Sequence, residues 1–407
     1  MSDKLLPTGS PPAPPDVTPP APPDAPPTVA PEVRRRRAEL VRRIARLDGA
    51  ADAAEVFAQA SPRLRQFVAF DAAAWMATDP ATGLPIAPTR IENMDAAEPS
   101  HCLLLWEREH LTPDLNLYRD LARADRPAAA LRHRAGDPTA SPRYREFVAP
   151  LGFDDELRAV LRVDGVPWGT VALMRRQGRA PFTAAETALV ASLSEPLGEA
   201  LRQRARRPAT TGHRRPDRPG LLLFDAEATL VSANEEAQGW LAELPASPTL
   251  PTDLGIGVPL WMAAVVYRAR ALAAAPDGAG SARVRIRSAA GTWLVCHGSC
   301  LRAADGAVTT TAVVLEPAKA AEIAPIVVQA YDLSEREQQV TRLLARGLGT
   351  ADIAAELFLS PHTVRDHVKA VLHKVGVSSR GELVAKLFAE HYWPEHADGL
   401  VVRVNDG

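Results

Sequence analysis

The sequence predicts a multidomain α+β chain in which two mixed α/β units precede an all-α unit of four short helices. Three observations carry this expectation. The opening "GSPPAPPDVTPPAPPDAPPTVAPE" cannot bury enough apolar surface to offset the entropy of ordering, which predicts a disordered Pro-rich tail over 1–32. The break "ARRPATTGHRRPDRPG" separates two stretches in which strand alternation and helical spacing interleave, placing a linker at 206–219. Between Leu333 and Tyr392, helix-starting residues recur before each of four short apolar runs.

A length of 407 residues suits several domains, and 46% hydrophobic with 24% charged residues is ordinary for a soluble globular protein. A net charge of −2 argues against coating nucleic acid by bulk charge, so any such contact has to come from a local patch. The N-terminus lacks the features of a secretory signal, and no apolar run approaches the roughly 18–20 residues that span a bilayer. The expected location is cytoplasmic, away from membranes. Cys102, Cys296 and Cys300 are too few for a disulfide framework. Cys296 and Cys300 fall on an expected strand, where four residues span about 13 Å, whereas bridged Cα atoms lie about 4.4–6.8 Å apart. No metal or cofactor is expected.

The first unit, 33–205, opens with "EVRRRRAELVRRIARL", where Val33, Leu40, Val41, Ile44 and Leu47 share one helical face. Its arginines read either as a solvated face or as phosphate contacts. Helical stretches near 51–70 and 115–125 precede "DELRAVLRVDGVPWGTVALMRR", two strands turning at Asp164-Gly165. "FTAAETALVASLSEPLGEALRQR" then reads as one amphipathic helix begun by a capping box, Thr183 with Glu186.

The second unit, 220–316, opens with the strands "LLLFD" and "TLVSA" and a helix capped by Asn234. It closes on three strands joined by Gly-containing turns. A connector at 317–331 leads to the helical unit, 332–392, and a tail at 393–407.

In the helical unit, Ser334 with Glu337 and Ser379 with Glu382 form capping boxes, Thr350 caps the second helix, and Ser360 followed by Pro361 starts the third. Gly347, Gly349 and Gly376 stand where the chain leaves a helix. Val340, Leu343, Leu344, Ile353, Ala354 and Leu357 line the first two helices. Val364, Val368, Val371, Leu372 and Val375 line the third, and Leu383, Val384, Leu387 and Phe388 the fourth. Only "FLS" separates helices two and three, which forces a steep crossing and leaves the third proud of the core. A helix about 10–12 Å across fits a major groove about 12 Å wide. Over 361–374, Arg365, Lys369 and Lys374 outnumber the single Asp366, and the free amides of the helix start favour a phosphate.

The segments "SEREQQV", "LLARG", "DIAAEL", "LSPHTVRDHV" and "LHKVGVSSR" resemble the LuxR-type DNA-binding domain. The resemblance implies a four-helix helix-turn-helix domain whose third helix enters the major groove of double-stranded DNA and whose fourth often forms a dimer contact. Carried across, Thr363 and Lys369 become backbone contacts, Arg365 and Asp366 base-edge contacts, and His367 a phosphate contact. Val364 supports the helix and is placed to touch a thymine methyl. Two departures stand out. Ala351 and Asp352 replace a pair that is often polar or basic, and Phe358 with Leu359 makes a bulkier turn.

Upstream, "SPRYREFVAPLGFDDELRAVLRVDGVPWGTVALMRRQGRAPFTAAETALVASL" is similar to the GAF-like input domains found ahead of LuxR-type tails in actinobacterial regulators. That implies a sheet with flanking helices and room for a small-molecule ligand. Trp75, Trp106, Tyr144 and Trp168 read as core residues or as pocket lining. "GLLLFDAEATLVSANEEAQGWL" resembles a PAS domain. The acidic cluster and βα repeat of a phosphorylated receiver are missing from the N-terminal half.

The expected function is sequence-specific transcriptional regulation by a homodimer, governed by ligand or partner binding upstream, with RNA polymerase as a further partner. Two alternatives are a protein-interaction adaptor and a sigma-factor-like protein, although the latter would need a promoter-melting segment that the upstream sequence does not offer. An enzyme is disfavoured, because no nucleophile motif, phosphate loop or paired metal ligands stand out and the adjacent His101 and Cys102 are poorly placed to face each other.

Overall fold

The fold is that of a computed structural model, which describes residues 31–45, 47, 50, 52–94, 99–206, 218–275, 280–318, 322, 326 and 329–384. The greater part of the Pro-rich tail, most of the linker, and the segment after Val384 with Leu387 and Phe388 lie outside the described residues. The chain divides into two units, 1–39 and 40–407. In the first, the described residues open helix α1 (Pro31–Ala45). All that follows concerns the second.

Its first module comprises α2 (Ala53–Arg65), β1 (Ala72–Thr78), β2 (Pro85–Glu92), α3 (Pro99–Leu111), α4 (Tyr118–Leu121), β3 (Ala128–Ala130) and α5 (Leu131–Ala135). A π-helical turn at Tyr144–Val148 leads to β4 (Phe153–Val163), β5 (Val166–Arg176), α6 (Ala184–Ser192) and α7 (Ser194–Ala205). The five strands form one antiparallel sheet in the order β2-β1-β5-β4-β3. Asp164 (φ 50°) and Gly165 (φ 79°) turn β4 into β5, the two left-handed residues that a tight hairpin with right-twisted strands requires.

Alternation divides the sheet. Trp75, Leu157, Val171 and Leu173 join a core with α2, α6 and α7 that also buries Leu40, Ile44 and Leu47. The other face carries Met76, Glu156, Arg158, Ala172 and Met174. The sequence predicts one helix over 183–204, but the chain breaks at Leu193. Pro196 has no N–H for the Ser192 carbonyl. The Ser194 hydroxyl instead donates to the Val160 carbonyl at 2.7 Å and accepts the Arg162 N–H at 3.1 Å, docking the break on β4.

The second module comprises β6 (Gly220–Phe224), β7 (Leu230–Ala233), α8 (Glu235–Glu243), the small hairpin β8 (Thr249–Leu250) and β9 (Val258–Pro259), α9 (Met262–Ala274), β10 (Arg283–Arg287), β11 (Trp293–Arg302) and β12 (Val308–Pro317). Its sheet, read from the far edge as β7-β6-β12-β11-β10, repeats the order of the first: second, first, fifth, fourth and third of its own strands in chain order. Asn234 caps α8 by accepting the Ala237 N–H at 3.0 Å. Cys296 and Cys300 lie on β11 as free thiols. A Cβ on Gly298 would stand 3.0 Å from the Val265 carbonyl, so its bareness lets α9 lie close on the sheet.

The two modules share a hydrophobic core running from Met76 and Trp106 to Trp261 and Val265, with α3 packed on α9. Asp79, fully buried, accepts the Arg285 N–H at 2.7 Å and pairs with its guanidinium at 3.0 Å. Burial pushes the Asp79 carboxyl up, against the pull of Arg285.

Beneath the first sheet, Arg158 pairs with Glu109 at 2.7 Å and Glu156 at 3.2 Å, and Arg143 pairs with Glu156 at 2.9 Å. Tyr118 lies under the Arg158 guanidinium, 4.0 Å from ring centroid to Cζ. All of these side chains are buried, so removing one partner strands a charge. We expect Arg158→Met to cost about 3–5 kcal/mol in urea unfolding. A loss below about 1 kcal/mol, the range of exposed pairs, would contradict this.

Candidate nucleic-acid interface

Among the described residues, four helices with printed bounds follow the second module: α10 (Glu335–Ala345), α11 (Thr350–Glu356), α12 (Pro361–Val375) and α13 (Arg380–Val384). The Ser334 hydroxyl accepts the Glu337 N–H at 3.3 Å and the Glu337 carboxylate accepts the Ser334 N–H at 2.6 Å, completing the expected capping box. At α13 the Ser379 hydroxyl accepts the Glu382 N–H at 3.1 Å, but Glu382 reaches back to the N–H of Ser378, at 2.7 Å. The start of α11 departs from expectation. Gly349 takes the cap position, and the Asp352 carboxylate accepts its N–H at 3.2 Å. Thr350 is the first helical residue, and its hydroxyl instead accepts from Arg380 at 2.5 Å, tying α13 to α11.

The turn from α11 to α12 is closed by two backbone bonds, Phe358 N–H to the Ala355 carbonyl at 3.4 Å and Leu359 N–H to the Ala354 carbonyl at 2.9 Å. This pattern places its central residue in the left-handed region, normally glycine's. Here it is Phe358, at φ 54° and 95% exposed. Leu359 turns inward against the helical core.

Beyond the turn, the Ser360 hydroxyl accepts the Thr363 N–H at 3.1 Å and starts α12. Val364, Val368, Val371 and Val375 are buried in a core with Val340, Ile353 and Leu383. Gly376, at φ 69°, ends the helix, with the Val377 N–H bonded to the Leu372 carbonyl at 3.0 Å. His362, Arg365, Asp366, Lys369 and His373 form an exposed stripe opposite the valines. Asp366 lies 3.0 Å from His362. Among the described residues, none hydrogen-bonds the Arg365 guanidinium or the Lys369 ammonium.

The residues singled out from sequence therefore fall in three groups. Arg365, Asp366 and Lys369 are exposed together, while Thr363 and His367 are half-buried at the margins of the stripe, the Thr363 hydroxyl 2.8 Å from that of Ser360. Val364 is fully buried and supports the helix from within; its methyls face the core, which removes the thymine contact. Lys374 also leaves the interface. Its ammonium donates to Glu337 at 2.8 Å and to the Asp332 carbonyl at 2.7 Å, pinning the end of α12 to the start of α10. Sequence reading missed this role and that of Asp352, which an acid three residues after Gly349 signals.

An apolar-backed helix following a second helix through a short closed turn, with a polar stripe outward, defines a helix-turn-helix unit. Residues 332–387 match the family described as bacterial regulatory proteins, luxR family. The chain is 42% identical over 55 residues to the spore germination protein GerE of Bacillus subtilis, covering 14% of this chain and 74% of GerE. Over 56 residues it is 48% identical to the transcriptional regulatory protein UhpA of Salmonella typhimurium, covering 14% of this chain and 29% of UhpA. A crystal structure of Escherichia coli SdiA aligns over 88% of this chain and 97% of its own at 12% identity, with a TM-score of 0.34, too low to bear on the upstream modules. The chain belongs to the LuxR family of bacterial regulatory proteins, through its C-terminal helical unit.

Two outcomes follow for this unit. Phe358→Gly removes a side chain that is held left-handed and buries nothing, so it should raise the stability of α11 and α12 by about 1 kcal/mol, read by hydrogen exchange. Lower protection would contradict this. Burial raises the Glu337 carboxyl, but Lys374 and the Ser334 N–H and hydroxyl outweigh it and leave it below its ordinary value. A depressed carboxylate contributes stability at neutral pH that is lost as pH falls through its folded pKa. Lys374→Met should therefore cost about 1–2 kcal/mol at neutral pH and less as the medium drops below about pH 4. A cost independent of pH would contradict the ionic origin.

Proposed function

We propose that this protein is a sequence-specific DNA-binding transcriptional regulator whose α12 lies in the major groove. The observation that carries this reading is the exposed stripe of α12, held outward by four buried valines and capped at both ends. Arg365 and Asp366 reach base edges, Lys369 and Thr363 contact the backbone, and His367 lies within reach of a phosphate. Two copies acting as a homodimer would present their α12 helices to half-sites about one helical turn apart. RNA polymerase is the expected downstream partner, and the working compartment is the cytoplasm. Among the described residues no helix is long and apolar enough to cross a membrane.

The upstream modules act as the input, the first as a GAF-like and the second as a PAS-like domain. What supports this is their shared five-stranded antiparallel order and their common core. A small molecule or a partner protein would shift the population of dimers able to engage DNA, rather than undergo turnover.

Arg365→Ala and Lys369→Ala should each abolish specific binding in a gel-shift assay against genomic sites selected with the wild-type chain, while circular dichroism stays unchanged. The slope of log affinity against log salt should be shallower by about one unit in Lys369→Ala. Undiminished affinity in both variants would refute the role of α12. Absence of DNA binding by the wild-type chain even at low salt would favour the adaptor reading instead.

A further inference from the structure

Phe358, in the turn between α11 and α12, is 95% exposed, whereas the next most exposed large apolar side chain among the described residues, Val231, reaches 50%. A partly exposed apolar residue is ordinary on any surface. A whole aromatic ring held out at φ 54°, where glycine would sit more easily, is not.

The surface leading to the ring has a character of its own. Ile353 and Ala354 of α11 are buried, while Ala351, Asp352, Ala355 and Glu356 are exposed. Residues three and four apart share a helix face, so Asp352, Ala355 and Glu356 lie together, two carboxylates beside a methyl small enough for close approach. One Asp352 oxygen accepts the Gly349 N–H at 3.2 Å, and Glu356 carries no hydrogen bond or ion pair among the described residues. From Thr350 to Phe358 the chain holds these two acids and no lysine or arginine, against the basic excess of α12.

The two helices therefore offer faces of opposite sign. The basic stripe of α12 suits phosphates, whereas carboxylates on α11 are repelled by them and a phenyl ring gives them no donor. The occupant of the α11 face is thus a protein rather than the duplex. Aromatic side chains anchor protein interfaces by filling an apolar recess, and carboxylates beside the anchor select a basic surface. The protein that works alongside a regulator on the same duplex is RNA polymerase, whose DNA-handling surfaces must be basic to hold a polyanion.

We propose that the outward face of α11, with Phe358 as its anchor, docks RNA polymerase through a basic surface that carries an apolar recess. This names the surface met by the downstream partner of the regulator reading, and it rests on that reading.

The test uses the full chain, purified bacterial RNA polymerase holoenzyme, and genomic fragments selected with the wild-type chain that also bear a promoter. The Kd of the polymerase for the fragment is read by fluorescence anisotropy, with and without saturating regulator. The wild-type chain should tighten it by about tenfold. Phe358→Gly should leave less than about twofold of that gain, and Glu356→Gln should reduce the gain by about threefold. Each variant alone should bind the fragment within about twofold of the wild-type affinity. Glycine relieves the turn, so coupling lost in Phe358→Gly does not trace to an unfolded helical unit, and Glu356→Gln keeps the side-chain shape. No tightening by the wild-type chain, or equal tightening by Phe358→Gly, overturns the proposal. Weaker DNA binding by Phe358→Gly alone would make the ring a DNA contact, and a changed oligomeric state in sedimentation would make it a contact between copies; either result overturns docking of the polymerase. A wild-type chain that binds DNA without coupling sinks this proposal alone, whereas one that binds no DNA sinks the regulator reading and this proposal with it.

Discussion

Four valines on one side of α12 set what the C-terminal unit can present to its surroundings. Val364, Val368, Val371 and Val375 are buried together, each contributing on the order of 1.5–3 kcal/mol of apolar burial. Valine is a middling helix former, so this stripe is held by tertiary packing rather than by local preference. A helix committed on one side has no freedom to turn, and Arg365, Asp366 and Lys369 are outward as a consequence. The ends are fixed as well. The Ser360 hydroxyl orders the first turn, and Lys374 anchors the last to Glu337.

What could be read from sequence divides along the range of the interaction. Caps at Thr183, Asn234, Ser334 and Ser360 were legible because the chemistry lies within three residues, as were the Asp164-Gly165 turn and the valine stripe. Thr350 misled because Asp352 reaches the preceding amide and Thr350 is drawn off by Arg380, distant in sequence. Lys374 read as part of a basic face because its partner, Glu337, lies 37 residues away. β1 was missed since "AAAWMAT" is mostly alanine and lacks the branched residues that announce a strand. The β8–β9 hairpin was hidden among prolines. Of the aromatic residues considered for a pocket, Trp106 lines a cavity on the other face of the first sheet, whereas Trp75 and Trp168 belong to the helix-side core and Tyr144 to a smaller cluster with Phe147.

The upstream modules are joined more closely than a linker-separated sequence suggests. The buried Asp79–Arg285 pair and the continuous core make their junction a packed interior rather than a wet interface. Contact continues toward the C-terminal unit. Arg202 of α7 pairs with Asp332 at 3.3 Å, and Arg206 donates to the Ala330 carbonyl at 2.5 Å beside the ring of Tyr331. α7 itself packs on β4, the strand that carries Glu156 and Arg158. Glu156 and the entrance to the helical unit are thus attached to opposite sides of one strand-helix pair.

Photocrosslinking tests the orientation of α12 most directly. A benzophenone side chain placed at position 365 is compared with one at position 342, on the exposed side of α10, using the full chain bound to selected genomic DNA. We expect DNA adducts from position 365 and none from 342. Adducts from 342 with none from 365 would mean that another surface meets the duplex, and the role given to the exposed face of α12 would be wrong.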